Sequence, residues 1–432
     1  MGVRAPHQCS LGAAACYPLF MLMTRALCIA GRRWFTSRHI ISQSISDCSR
    51  VFYNPFRKRW VFSIKTNIGL CAPYPRGSPC GPKESSGVGR ARGFWESPDL
   101  FDPTYTQWKM NGETGDSDTP GQPGYGRWDA PGEIYPWLWA DVADDQDPET
   151  KHPRGPNNEY AQLYNVDAIA YESVMVAFLS ILECDNYGDG SLCPGPEYHE
   201  RNEVFLAFSR DGFSFSRPPA PRLPVAALDE SNWTDWNWYD VQSSAGGLIV
   251  YEDALHMYVS GRYIPDDNGT KPCRDKSCQV DTTGLATMRR DGFASLAANA
   301  SARGVVFSRR LVWSGAGRDA LFVNFDGEGL AIELLDGATG SRIEPFTLAN
   351  SVAFSGDSTR HKMTWKGETA DGIASLAGKP VQIRFEFGGQ AGISALYSFW
   401  VGDAACGASL GYMAGGGPGI GGDVDVRGSC TK

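Results

Sequence analysis

Two carboxylates flank a short strand-rich stretch near the start of the chain. Asp47 precedes "VFYNPFRKRWVF", and Glu96 follows two aromatic residues in "GRARGFWES". The aromatic neighbours would partly desolvate Glu96 and favour its protonated form, so this residue could donate a proton. Arg90 or Arg92 could orient a carboxylate. The alternative is that Asp47 caps a turn and Glu96 pairs with an arginine at a solvated edge, because most carboxylates near arginines are structural.

Three segments share one pattern, which indicates the strands that must position these residues. Each opens with polar or acidic residues, continues through an apolar hairpin and closes on Ser/Arg-x-Asp-x-Phe, with the aspartates at Asp99, Asp211 and Asp291. A four-stranded unit of this kind is a propeller blade. The closing aspartate fits a tight turn that it stabilises by hydrogen bonds to the backbone. In "LHMYVSG" apolar and other residues alternate with a period of two, which favours a strand over a helix.

The pattern changes from about residue 303. In "VQIRFEF", Val381, Ile383, Phe385 and Phe387 form one face and polar residues the other, as in a half-buried strand. We therefore expect a mostly β chain, with propeller blades over 44–302, a β-sandwich over 303–401 and a Gly-rich tail over 402–432. The tail contains "GPGIGG", which we interpret as a chance match to a phosphate-binding loop because no strand or helix flanks it.

Composition and charge narrow the class of protein. The chain has 432 residues, of which 42% are hydrophobic and 12% aromatic, enough for a large core and two domains. Residues 1–94 carry fourteen Lys/Arg and two acids, whereas the remainder carries 26 basic and 47 acidic side chains. A main body this acidic argues against nucleic acid as a partner, since a phosphate backbone requires clustered cations.

The N-terminal residues 1–43 have the composition of a targeting segment rather than of a packed core. The stretch "LGAAACYPLFMLMTRALCIAGRR" is apolar, is interrupted by Arg25 and contains no acid. A secretory signal or signal-anchor, an organelle transit peptide and an incorrectly assigned start all fit it. The apolar run before Arg25 is shorter than the roughly 20 residues that span a bilayer, so no stable membrane span is expected.

Cysteine spacing favours an oxidising compartment. Eight of the twelve cysteines fall into four close pairs around turn residues, in which Cys71 is paired with Cys80, Cys184 with Cys193, Cys273 with Cys278, and Cys406 with Cys430. This spacing suits disulfides that close loops, while the scattered histidines argue against a metal site, and no cofactor is expected. Three glycosylation triplets, at Asn232, Asn268 and Asn299, agree with a secreted or luminal protein. The alternative location is an organelle.

Several of these segments together resemble a known group. The segments "FYNPFRKRWVFSI", "RARGFWESPD", "QLYNVDAIAYES", "AFSRDGFSFSRP", "TGLATMRRDGFASL", "LAGKPVQIRFEF" and "LYSFWV" resemble the five-bladed propeller superfamily of glycoside hydrolase families 32 and 43. The resemblance covers about residues 44–401. It implies a five-bladed propeller followed by a β-sandwich, with carbohydrate as the partner.

The resemblance also implies site residues. "SDCSR" is similar to the Arg-Asp-Pro motif of family 32, which places its transition-state-stabilising acid at Asp47. "WESPDLF" is similar to the Trp-Glu-Cys-Pro-Asp motif, which places the general acid at Glu96. Glycoside cleavage needs one such protonated carboxyl and one ionised carboxylate. The competing carboxylates are Asp141, Asp167 and Glu172. Arg92 could orient a sugar hydroxyl, and Trp139, Trp236 and Trp238 could stack on sugar rings.

The sequence lacks one motif of family 32, so two functions stay candidates. Family 32 has a nucleophilic aspartate in a first-blade Trp-Met-Asn-Asp-Pro-Asn-like motif, and nothing comparable precedes Asp47. Only three blades are visible, and three blades cannot close a ring of five without exposing sheet edges. The chain is therefore expected to be either a glycoside hydrolase, complete or truncated, or a non-catalytic propeller and sandwich that binds glycans.

Overall fold

The chain forms two compact units. The computed structural model describes residues 48–71, 85–98, 100, 135–141, 144, 161–184, 201–219, 224–227, 229, 235–243, 247–263, 280–299, 302–315, 317–389, 392–413 and 424–425. The first unit takes its described residues from 1–170, 174–247 and 257–286, and the second takes them from 171–173, 248–256 and 287–432. The predicted N-terminal segment 1–43 lies outside the described residues.

The protein is almost entirely β, as the sequence predicts. The strands are β1 (Arg50–Asn54), β2 (Arg59–Cys71), β3 (Ser85–Ser97), β4 (Tyr135–Leu138), β5 (Gln162–Glu172), β6 (Val174–Cys184), β7 (Arg201–Ser209), β8 (Tyr239–Ser243), β9 (Ile249–Tyr251), β10 (Ala254–Tyr263), β11 (Val280–Arg289), β12 (Leu296–Ala298), β13 (Arg303–Phe307), β14 (Ala320–Asp336), β15 (Phe354–Lys362), β16 (Val381–Gly388), β17 (Ser394–Gly402) and β18 (Tyr412–Met413). Within the described ranges, the longest helical segment is a 3-10 helix over Gly372–Leu376.

The three repeats of the sequence form separate antiparallel sheets in the first unit. The first repeat gives β1-β2-β3-β4, the second gives β5-β6-β7, and the third gives β8-β10-β11. The β1–β2 hairpin pairs Tyr53 with Trp60, and the two rings lie 5.2 Å apart. Asp211 ends the second repeat in a turn, where its Oδ1 accepts hydrogen bonds from the backbone N–H groups of Phe213 and Ser214. This is the structural role predicted for that aspartate.

A shared apolar core joins the first two of these sheets. Alternate residues of β5 and β6 face it because neighbouring side chains of a strand point to opposite faces. Its largest buried members are Phe52, Trp137, Leu163, Met175, Leu179, Ile181 and Phe205. Burial of each such side chain contributes about 1.5–3 kcal/mol to folding, so this cluster is a main source of stability for the first unit.

The second unit is built around one long strand. The first half of β14 pairs with β15 and β17, and its second half pairs with β16, which in turn pairs with β13. The strand changes partners at Gly327, where φ is +144° and an added Cβ would lie 2.4 Å from the Ser394 Oγ. Only glycine fits at this corner, because any side chain would collide with β17.

The second core confirms the alternation predicted in "VQIRFEF". Val381, Ile383, Phe385 and Phe387 are all at most 1% exposed. They pack against buried residues from both halves of β14, among them Phe325 and Ile332. The two halves of the rolled sheet therefore enclose one core.

The Gly-rich tail is more ordered than the sequence indicates. In the second unit, β18 pairs with the last two residues of β5, with Tyr412 opposite Glu172. The backbone N–H of Asp425 then donates to the carbonyl of Gly411. Part of the predicted tail is therefore a paired strand.

The four predicted cysteine pairs are not confirmed, because most of their members lie outside the described residues. These members are Cys80, Cys193, Cys273, Cys278 and Cys430. Cys71 ends β2 and Cys184 ends β6, so each stands at the start of the loop that its predicted disulfide would close. Cys406 is bonded in a disulfide, and so is Cys48, which was in none of the predicted pairs. The pairings of Cys71 with Cys80, of Cys184 with Cys193, of Cys273 with Cys278 and of Cys406 with Cys430 stay predictions.

Candidate functional site

The predicted proton donor Glu96 lies near the end of β3 in a partly exposed ion pair. The Arg57 Nη2 donates to the Glu96 Oε1 at 2.8 Å, and the two side chains are 38% and 26% exposed. The guanidinium of Arg57 also lies 5.9 Å from the centre of the Phe213 ring. The Glu96 Oε2 is buried and, among the described residues, has no hydrogen-bond partner. One oxygen of this carboxyl is therefore paired, and the other has no described partner. Asp47 lies outside the described residues.

Arg92 is completely buried and binds neutral acceptors. It donates to the hydroxyl and the carbonyl of Ser63 and to the carbonyls of Tyr164 and Cys48. These bonds connect β3 to β2, to β5 and to the segment before β1. Arg90 instead donates to the Gln162 side chain. The contacts described for Arg92 fix strands in place, and its predicted role in orienting a sugar hydroxyl stays a prediction.

Asp167 lies in a buried ion pair on β5. Its Oδ1 accepts from the Arg50 Nε at 2.7 Å, and its Oδ2 accepts from the Asn165 amide at 2.9 Å. Arg50 and Asp167 are 5% and 4% exposed. No described hydrogen bond or ion pair links Asp167 to Glu96, so the structure gives these two candidate carboxylates separate partners.

Asp240 is a buried carboxylate that residue-type reasoning did not single out. It lies on β8 at φ +50°, accepts from the amide of Gln242 and pairs with the Arg262 Nη1 at 2.6 Å. A non-glycine residue at positive φ is uncommon and strained. The sequence did carry a signal, since Asp240 is the acid that opens the third repeat.

Trp238, Trp139 and Asp141 have different surroundings. Trp238 is 6% exposed, which fits core packing, whereas Trp139 is 39% exposed. Asp141 is 47% exposed and lies 3.9 Å from the Arg217 Nη1, which pairs more closely with the buried Asp144. Trp139 and Asp141 therefore expose side-chain surface to solvent, and Trp238 does not.

Trp236 lies flat on the sheet formed by β10 and β11. A Cβ built on Gly284 would be 2.5, 2.5 and 2.8 Å from the Cη2, Cζ3 and Cζ2 atoms of the indole. Three nearly equal distances require a position over the face of the ring, since an approach to its edge would give unequal ones. Gly261 contacts the same ring near its Cε3. One face of the ring is therefore in contact with the sheet, while Trp236 as a whole is 39% exposed.

A threonine fixes the backbone of this tryptophan. The Thr282 hydroxyl lies 2.9 Å from the carbonyls of both Trp236 and Gly261 and shares its one hydrogen between them, which fixes the Trp236 backbone to β10 and β11. The Arg262 Nε donates to the Asp281 Oδ1 at 2.8 Å. Because Asp281 precedes Thr282 on β11, this ion pair lies on the face of the sheet opposite Thr282 and Gly284. We call Trp236, Gly261 and Gly284 the indole platform.

Glu172 belongs to a charged cluster in the second unit. Its Oε1 accepts from the Arg290 Nη2 at 3.1 Å, and the same nitrogen donates to the Asp425 Oδ2 at 3.0 Å. Burial raises the pKa of the Glu172 carboxyl above its usual range, against the effect of hydrogen bonds from Ser409 and Arg290. Arg290 and Asp425 are both nearly completely buried. We call Glu172, Arg290 and Asp425 the arginine cluster.

A second pair of contacts fixes the turn beside this cluster. The Tyr171 and Ser398 hydroxyls donate to the two carboxylate oxygens of Asp291. Burial, together with the negative charge of Asp291, raises the pKa of Tyr171 far above its usual range, so the phenol stays protonated. Asp291 and Glu172 both have positive φ. Every described carboxylate of this region thus has an internal partner.

The described residues contain no group of three or more His, Cys, Asp or Glu that could hold a metal ion. No helix among these residues is long and apolar enough to cross a membrane.

Comparison with known proteins leaves the family unassigned. No protein-family model matches the chain, and no curated protein matches it. Among solved structures, it is similar to a glycoside hydrolase family 43 arabinoxylan arabinofuranohydrolase from Bacillus subtilis in complex with cellotetraose, at 10% identity and a TM-score of 0.22, over 86% of this chain and 70% of that one. A TM-score this low supports no inference about function, so function is argued from the residues.

Proposed function

We propose that the protein binds carbohydrate at the indole platform. The observation that carries the proposal is the position of Trp236, whose ring has one face seated on Gly261 and Gly284 although the residue is 39% exposed. A ring held in this way loses little conformational freedom when a ligand stacks on it.

A sugar ring matches the chemistry of this surface. A pyranose has a flat face of C–H groups that can stack on an indole. An apolar ligand would instead need an enclosed pocket. A nucleobase could also stack, but the net charge of −9 opposes the phosphates that accompany it. Carbohydrate is the ligand class that satisfies both the aromatic face and the charge.

The family assignment is part of this proposal. We propose that the three sheets formed by the repeats are blades of a five-bladed propeller followed by a sandwich, as in glycoside hydrolase families 32 and 43. The support is that each repeat forms its own antiparallel sheet and that two of the three open with a buried acid, Asp167 or Asp240.

Binding to a panel of oligosaccharides tests the platform. Cello-, xylo-, malto- and chitotetraose, with mixed polysaccharides beside them, are titrated into the full chain by calorimetry. Trp236→Ala should lower the affinity for the best ligand by about tenfold or more, as the loss of a central aromatic contact does. Tyr251→Ala removes a more exposed aromatic ring, on β9, and should leave binding unchanged. Equal affinities for wild type and Trp236→Ala would refute the platform.

A second candidate function is glycoside hydrolysis with Glu96 as general acid. The observation in its favour is the buried Oε2, which binds no described group and so is left for a substrate. Glu96→Gln keeps the shape of the side chain but removes the transferable proton, so turnover of an ordinary glycoside should fall by about 10²–10⁴-fold. A nitrophenyl glycoside needs less protonation and should lose less. Glu252→Gln, on an exposed turn, is the matched control. Hydrolysis that survives Glu96→Gln intact excludes this role.

A further inference from the structure

The six-stranded sheet of the second unit has two edge strands that meet. The strand order is β12-β17-β14-β16-β13, so β12 and β13 are its edges. They approach each other at Ala298, whose Cβ lies 3.0 Å from the position that a Cβ on Gly304 would take. Residues 299–302 connect them. Unpaired strand edges are sites where further chains can add, and proteins protect them.

Exposed apolar side chains mark this seam. Leu296 on β12 is 53% exposed. Ala298 and Ser394 are the last pair of β12 and β17, and Asn299 and Ile393 are the next residues of the two segments beyond this pair. Ile393 is 74% exposed, the highest value among the large hydrophobic side chains of the described residues. A nearly bare isoleucine beside a strand edge is an aggregation liability unless something covers it.

Asn299 is an exposed residue in a glycosylation triplet at this point. It directly follows β12, and its carbonyl accepts the backbone N–H of Gly389, which anchors the turn. Asn299-Ala300-Ser301 has the form Asn-x-Ser that accepts N-linked glycans. Disulfides at Cys48 and Cys406 agree with an oxidising compartment, in which such glycans are added.

We propose that Asn299 carries an N-linked glycan that covers Ile393 and the β12 edge. In this modification the side-chain nitrogen of Asn299 forms a bond to the anomeric carbon of a sugar from a lipid diphosphate-linked oligosaccharide. The sugar–phosphate bond breaks, and the lipid diphosphate leaves with the proton lost by the amide. The first sugar then lies over Ile393, and its bulk keeps another strand from pairing with β12.

Peptide mapping tests the modification. The full chain, with its own N-terminus, is expressed in a eukaryotic secretory host and digested with trypsin, which releases residues 291–303 as one peptide. The proposal predicts a hexosamine-bearing peptide that peptide N-glycosidase converts to Asp at position 299. Ser301→Ala should abolish the modification, and Ser301→Thr, which keeps an acceptor triplet, should retain it. An unmodified wild-type peptide overturns the proposal, whether or not Asn232 or Asn268 is modified.

Self-association tests the covering role. Removal of the glycan from the folded protein should increase self-association measured by light scattering, and Ile393→Ser should reverse that increase. If deglycosylation leaves self-association unchanged, the glycan does not protect this edge. Both measurements are independent of the indole platform, because oligosaccharide binding is expected to be the same in every one of these variants.

Discussion

The indole platform and the arginine cluster both bring together side chains suited to chemistry, but they differ in what the protein has already used. In the cluster, Arg290 donates to both Glu172 and Asp425 from within the protein. In the platform, the Trp236 backbone is fixed by Thr282 while Trp236 stays 39% exposed. The polar groups of the cluster bind one another, whereas the platform leaves part of its tryptophan accessible to solvent.

Whether a side chain already has internal hydrogen-bond partners distinguishes candidate site residues better than residue type does. Asp167 and Glu172 are carboxylates that the sequence places beside Glu96 as candidates. Asp167 is neutralised by a buried arginine, and Glu172 shares one. Glu96 has one oxygen without a described partner. A residue whose hydrogen bonds are complete inside the protein contributes to stability first, whatever else it does.

The largest effect should come from breaking the arginine cluster. Arg290→Met keeps the apolar stem but leaves the buried Asp425 and the partly exposed Glu172 without their cation. Removal of one partner from a buried pair costs about 3–5 kcal/mol. The free energy of unfolding, measured in urea, should fall by that amount. Arg310→Met, at an exposed position, should change it by no more than about 0.5 kcal/mol. Equal effects of the two substitutions would show that the cluster is not a stabilising element.

An intermediate effect should appear as pH dependence. Because the pKa of Glu172 is raised in the folded protein, the folded state holds this proton more tightly than the unfolded chain does. The resulting stability is complete below the usual pKa of a glutamate and is lost as pH rises through the raised value. Glu172→Gln cannot ionise, so it should remove that loss.

Urea midpoints between about pH 4 and about pH 8 measure this effect through the linkage of folding to proton binding. The free energy of unfolding of Glu172→Gln, relative to that of wild type, should rise as pH increases across this range. Glu344→Gln, at an exposed position, should keep the wild-type pH profile. A Glu172→Gln curve parallel to that of wild type contradicts the raised pKa.

The smallest effect should come from the surface ion pair beside Glu96. Arg57→Met removes a partner that is 38% exposed, and exposed pairs contribute about 0–1 kcal/mol. Its effect on the free energy of unfolding should therefore be several times smaller than that of Arg290→Met. A loss as large as that of Arg290→Met would mean that Glu96 is buried with Arg57 in solution and is not available to a ligand.

Patterns of neighbouring residues predicted the local structure of this protein well. The alternation of Leu255, Met257 and Val259 and that of "VQIRFEF" correspond to buried faces of β10 and β16. The turn at Asp211 follows from the spacing of its serine and glycine neighbours. These features depend on residues a few positions apart, which a single sequence shows directly.

Contacts between distant residues were not predictable in the same way. Asp425 lies in a Gly-rich tail to which the sequence assigned no structural role, yet it binds Arg290, 135 positions away in sequence. Trp236 was one of three candidate tryptophans, and only the positions of Gly261 and Gly284 in the sheet distinguish it from the buried Trp238. Such distinctions depend on which strands become neighbours, which the spacing along one chain does not fix.

The most direct test of carbohydrate binding at the indole platform is a fluorine NMR titration of the protein labelled with 5-fluorotryptophan. The resonance of Trp236 is assigned by its absence in Trp236→Phe, and Trp139, which is equally exposed, serves as the internal comparison. Addition of the best oligosaccharide should move the Trp236 resonance saturably and leave that of Trp139 in place. A ligand that binds by calorimetry but leaves the Trp236 resonance unmoved, or moves that of Trp139 instead, would contradict the account.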